Sequence, residues 1–145
     1  MSSKAAAGII TAGAAAAVAA ALSLSSPNSK PVLPAIPGAV QHRWSQEWIC
    51  EHGTRQIRPP VSYTNRLKRS QLPPGADPHD YEEDHLIPLS VGGNPRSPNN
   101  LWPEPWPQAH AADKIEYREY REVCAGLETQ AQGQKDVLDF KRRNG

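Results

Sequence analysis

The sequence predicts a small α+β domain: two short strands joined by a long turn, then a helix, with short helices on either flank. Three observations lead there. Fifteen Pro among 145 residues, spread from Pro27 to Pro107, exclude long regular elements over most of the chain. Two short apolar runs, 85–90 and 100–102, flank Gly92-Gly93-Asn94-Pro95, a composition that turns. Beyond Pro107 there is no further Pro, and the pattern is helical to about Cys124.

The N-terminal segment stands apart. In residues 1–26 one Lys and the free amine precede an uncharged, Ala-rich run ending in small residues. This is the pattern of a signal peptide, and residues 5–24 are also long enough to serve as a membrane anchor. The expected location is therefore periplasmic or secreted, with attachment to the inner membrane as the alternative. Residues 27–41 hold four Pro and a Gly with almost no charge, and read as an extended Pro-rich linker. Charged and aromatic residues begin thereafter, which places one domain at 42–145.

Within that domain each element has a local cause. Residues 45–50 suit a short helix. Residues 66–71 suit a helical turn that Pro73-Pro74-Gly75 ends. Residues 85–90 read as a strand in which Pro88 marks an edge or bulge. Residues 100–102 read as its partner. The helix opened by Pro107 carries Arg118 and Glu122 at i,i+4 and stops near Gly126. A last helix is expected at 132–142. Hydrophobic residues make up 38% of the chain, and many are Ala in the leading segment, so the core is small and calls for a staple. An exported chain can supply one as a Cys50–Cys124 disulfide, worth roughly 4 kcal/mol by loop-closure entropy. Buried thiols are the alternative in a reducing compartment.

The formal net charge of +1 excludes a broadly cationic nucleic-acid coat protein. The charge is nonetheless blocked. Residues 41–75 hold six Arg or Lys against two Glu, and residues 76–104 hold six acids against Arg96 alone. A basic arm beside an acidic centre suits phosphate contact next to a metal ion. Arg55, Arg58, Arg66 and Lys68 are the candidate phosphate contacts. Ordinary solvated faces would look the same.

Asp84-His85, Asn100 and His110 supply chemistry within one ββα unit. Carboxylate and imidazole can together hold a divalent cation, and a second, neutral His can take a proton from water. Asp84 with His110 suits the first task and His85 the second. Asp113, on the same helix face as His110, is the alternative ligand. Asn100 either accepts from the His85 ring or serves as a turn residue.

The segments EEDHLIPLSVGGNPRSPNNLWPEP and AHAADKIE resemble the HNH, or ββα-metal, endonuclease motif, with His85, Asn100 and His110 in the His-Asn-His positions. The likeness is to exported bacterial HNH-like proteins with a DHLIPL, GG, NLWPEPW core, and it runs from about Cys50 to Gly126. It implies a ββα-metal (His-Me finger) core and metal-dependent phosphodiester cleavage of nucleic acid, with DNA the first candidate. His85 is then the general base. Asp84 and His110 hold one divalent ion (Mg2+, Mn2+, Ni2+ or Zn2+), and no small-molecule cofactor is expected. The Cys pairs that hold a second zinc in many HNH proteins are missing, and the Cys50–Cys124 bridge could substitute for them. The alternative function is a catalytically inactive, metal-stabilised binding or structural protein of the cell envelope.

Overall fold

A computed structural model describes residues 34–144. The expected signal or anchor at 1–26 lies outside these residues. Among the described residues no helix is long and apolar enough to cross a membrane.

Helix α1 (Gln46–His52) starts where the Ser45 side chain accepts the Trp48 N–H, and it buries Ile49. Helix α2 (Val61–Gln71) begins directly after Pro59-Pro60 and is longer than the turn expected at 66–71. Pro60 carries no N–H to leave unpaired, which suits it to a helix entrance. Its amine locks the helix to the next element: Lys68 Nζ donates to the carbonyls of Pro78 and Tyr81, both at 2.8 Å.

Strands β1 (Tyr81–His85) and β2 (Leu101–Pro105) pair antiparallel, with His85 opposite Leu101, Asp84 opposite Trp102 and Glu82 opposite Glu104. Alternation therefore puts Glu82, Asp84, Trp102 and Glu104 on one face of the hairpin. The first strand precedes the apolar run that the sequence suggested. Residues 86–89 and Val91 are buried not as a ladder but as a folded connection, because Pro88 has no N–H to pair and its carbonyl accepts from Val91 and Gly93 instead. A Cβ at Gly93 would lie 1.8 Å from the Ile87 oxygen, so only glycine fits that approach.

Helix α3 (Trp106–Cys124) opens with Pro107 in its first turn and ends at Cys124, as the sequence predicts, and it follows a β2 longer than expected without a loop. Its buried stripe is Ala109, Ala112, Glu119 and Val123. Helix α4 (Gln130–Asn144) packs against it with Gly133, Val137 and Lys141 buried. A Cβ at Gly133 would stand 2.9 Å from Val123 Cγ2, so glycine sets the close spacing of the two helices. Ile87, Val91 and Val123 form the core cluster, with Val40 and Leu138 against it.

Residues 34–41 differ from the extended linker the composition suggested. Val40 bridges to Gly93, Gln41 N donates to Gly92 O, and Ala39 N donates to Asn100 Oδ1. The segment's few apolar side chains find the open side of the small core, and its backbone finds partners in the turn. Cys50 and Cys124 lie at disulfide distance with their Cα atoms 5.6 Å apart, which ties α1 to the end of α3. Among the described residues the observed class is thus α+β, with four α-helices, a two-stranded antiparallel sheet and this Cys pair.

Candidate active site

The end of β1 carries the site. Asp84 and His85 both line a pocket of about 60 Å³, together with Thr54, Arg58, Pro88, Leu89, Ser90 and Glu116. Strict alternation would separate Asp84 from His85. They meet here because the strand ends at His85, where the chain turns into the Leu86–Pro88 connection.

His85 is 9% exposed, and its Nε2 lies 3.1 Å from the carbonyl oxygen of Pro95. A carbonyl only accepts, so Nε2 carries the proton and Nδ1 keeps its lone pair. Burial holds this imidazole below its ordinary value, against the opposing pull of the Pro95 hydrogen bond and the Asp84 charge. At neutral pH the ring is an uncharged base with a fixed orientation.

Behind the pocket lies a charge cluster. The Lys141 side chain is fully buried. Its ammonium pairs with Asp84 Oδ2, with Glu116 Oε1 at 2.6 Å and with Glu104 Oε2 at 3.5 Å, and it donates to the His85 carbonyl at 2.8 Å. Asp84 Oδ1 also accepts the His85 N–H at 2.7 Å. Burial pushes the Asp84 carboxyl up, but the ammonium and these hydrogen bonds outweigh it and hold the group below its ordinary value. Burial and the Asp84 charge push Glu116 up to about 7. Burial above all, with the neighbouring Asp84 and Glu116 carboxyls and against the pull of Lys141, takes Glu104 to about 8. For Lys141 the surrounding carboxylates overcome the desolvation penalty and hold the amine charged.

Several residues named from sequence stand elsewhere. His110 is exposed, its ring 5.5 Å from that of Trp106, and it does not line the pocket. Asp113 is also exposed. The helix phase explains both: Ala109 and Ala112 take the buried face, and the next position on it is Glu116. Glu116 thus occupies the place beside Asp84 expected for His110 or Asp113. Asn100 does not orient His85. It is fully buried, accepting from Ile87 N at 2.9 Å and Ala39 N at 3.2 Å, and donating to Ile87 O at 2.9 Å and Asn94 O at 3.0 Å. Its role is to clamp the long turn, while the Pro95 carbonyl holds the His85 ring. Lys68 is spent on the Pro78 and Tyr81 carbonyls rather than free for phosphate. Arg55, Arg58 and Arg66 are exposed, and of these Arg58 lines the pocket.

Glu104, Glu116 and Lys141 were not found by sequence reasoning. The available signal was a charged residue on an otherwise buried helical stripe: Glu116 after Ala109 and Ala112, and Lys141 after Gly133 and Val137. Elsewhere Glu119, Glu128 and Asp136 come within ligand distance of one another, and Arg118 pairs with Glu119 as its counter-charge.

The chemistry of Asp84 and Glu116 fits a hard divalent cation. Both are carboxylates that open on the pocket beside His85, and the ammonium already held between them is a cation in their field. Comparison with protein-family models, curated proteins and solved structures gives no match.

Proposed function

We propose that this chain is a metal-dependent endonuclease of the HNH type, hydrolysing phosphodiester bonds of nucleic acid, with DNA as the first substrate to try. The observation that carries the reading is the pairing of a neutral His85, its ring held by the Pro95 carbonyl, with two carboxylates opening on the same pocket. Asp84 and Glu116 would hold one divalent ion (Mg2+, Mn2+, Ni2+ or Zn2+). When bound, that ion supplies positive charge at the scissile phosphate and the leaving 3′ oxygen. His85 Nδ1 takes the proton from the attacking water. Burial keeps that nitrogen unprotonated at neutral pH. Arg58, exposed and lining the pocket, contacts a phosphate, and the exposed Arg55 and Arg66 are further candidate phosphate contacts. The Cys50–Cys124 pair supports a periplasmic or secreted location, where such bridges persist.

A second reading is an envelope protein on the same scaffold that binds without cleaving. Lys141 favours it, because an ammonium already neutralises part of the acidic cluster. Plasmid nicking in each of the four metals separates the two. Cleavage that EDTA abolishes supports the nuclease. Absence of cleavage with all four, while a metal raises the melting temperature, supports the binding protein.

A further inference from the structure

Helix α1 and its entrance carry aromatic surface that the pocket does not use. Trp44, Trp48 and His52 recur every four residues, and their rings follow one another in a row. The Trp44 and Trp48 ring centroids are 6.2 Å apart, and those of Trp48 and His52 are 4.6 Å apart with only 11° between the planes, a stacked pair. The two ends of the row differ. At the first, the Arg43 guanidinium lies over the Trp44 ring, 5.0 Å from its centre. At the last, the His52 side chain is 43% exposed, and among the described residues no further ring stacks on it. The row is also held in place. Gln41 Oε1 accepts from Arg43 N and Trp44 N, and its amide donates to Trp44 O. His52 Nδ1 lies 2.9 Å from the Trp48 carbonyl, which only accepts, so the His52 ring has a fixed orientation. In the same helix Ile49 is fully buried, Gln46 Nε2 donates to Ser90 O at 2.9 Å, and Cys50 is tied to Cys124.

We infer that the open His52 end of this row receives an unpaired nucleobase beside the scissile phosphate, which makes single-stranded nucleic acid the preferred substrate. Its placement beside a scissile phosphate rests on the nuclease reading proposed above. His52 stands two positions before Thr54, which lines the pocket, so their Cα atoms are at most ~7 Å apart. Charge favours the same end. Glu47 and Glu51 border the aromatic row along the helix, whereas the exposed Arg55 and Arg58 follow His52, so a phosphate backbone finds its counter-charge beyond the His52 end. A base adds to a row of rings by offering one free face, and every base has such a face, so the contact is tolerant of sequence. A paired base inside a duplex has neighbours on both faces and must first leave its stack. Because the row is already ordered, little freedom is lost when a base joins it.

The test measures kcat/KM on a labelled, mixed-sequence DNA single strand and on its duplex in Mn2+, and the binding of both by fluorescence anisotropy in EDTA. Wild type should favour the single strand by ~10-fold or more in both readouts. His52→Ala should lower the single-strand values about 10-fold and leave the duplex values within about 2-fold. His52→Leu, which has bulk but no aromatic face, should lose as much, whereas His52→Phe should keep the preference. Tyr117→Ala, which removes an exposed ring on α3, should change neither substrate. Should His52→Ala lower the melting temperature, the contrast between His52→Leu and His52→Phe decides. Equal values for the two substrates in wild type, a preference that survives both His52→Ala and His52→Leu, or a loss shared equally by single strand and duplex overturns the inference. The two levels separate cleanly. Single-strand binding that depends on His52, without cleavage in any metal, defeats the nuclease reading and upholds the base contact. Cleavage with no preference for the single strand defeats only the inference about His52.

Discussion

Two histidines with one spacing in the sequence have opposite fates in the fold, and the contrast yields a residue-level test. His85 is buried with one ring nitrogen fixed by Pro95, while His110 stands exposed against Trp106. His110→Ala is expected to leave cleavage within about 2-fold of wild type. Glu116→Gln is expected to lose at least ~100-fold, because it removes a charged oxygen beside Asp84. A steady-state nicking rate for each variant checks the pair, and equal losses would restore His110 to the site. Asn100 behaves differently from both. Truncating it to Ala strands the Ile87 and Ala39 N–H groups and two carbonyls in a buried turn, so Asn100→Ala should cost ~3 kcal/mol in urea unfolding. Activity should then fall only as the folded fraction falls. Asp84 and His85 were legible in the sequence as a candidate metal ligand beside a candidate base. Glu116 was not, because its role depends on helix phase, and a shift of one position on α3 changes which side chain meets the strand.

At the scale of elements, the helices were easier to read than the strands. Pro107 announced α3 and its Pro-free continuation fixed the length. The ladder lies upstream of the apolar run because burial does not require strand pairing: residues 86–89 and Val91 are buried around the Pro88 turn, while the charged Tyr81–His85 segment forms the ladder. That charged strand is possible because Lys141 and Lys68 meet it from α4 and α2, which no local pattern encodes. The close turn is correspondingly intolerant. Gly93→Ala should cost more than ~3 kcal/mol, since backbone rather than a flexible side chain blocks the new methyl group. The Cys50–Cys124 pair spans 74 positions and holds α1, and through it the segment bearing Thr54 and Arg58, against α3. Changing both Cys to Ser should lower stability by about 4 kcal/mol. A loss below ~1 kcal/mol in urea unfolding would show that packing alone holds this end of the fold.

For the molecule as a whole, the near-neutral total conceals acids that folding buries. Burial takes Glu83 and Glu104 to about 8 and Glu116 to about 7, all above the ordinary Glu value of 4.5. Such groups bind more protons folded than unfolded. Their contribution is fully present below pH 4.5 and is lost as pH rises toward 7–8. His85, held low, works in the opposite sense only below its ordinary 6.5. In EDTA the melting temperature should therefore fall by several degrees between pH 5.5 and 8, checked by scanning calorimetry. A flat or rising profile would mean that these carboxyls ionise freely. Mn2+ should raise the melting temperature more at pH 8 than at pH 5.5, because the ion needs deprotonated ligands.

The central claim is that His85 acts as a base in metal-dependent phosphodiester cleavage. The most direct measurement is the plasmid-nicking rate of wild type and His85→Ala at equal folded concentration, in Mg2+ or Mn2+ and again in EDTA. The account expects nicking by wild type with metal, none in EDTA, and a loss of at least ~100-fold in His85→Ala without a matching fall in melting temperature. Metal-dependent nicking that survives His85→Ala would contradict it.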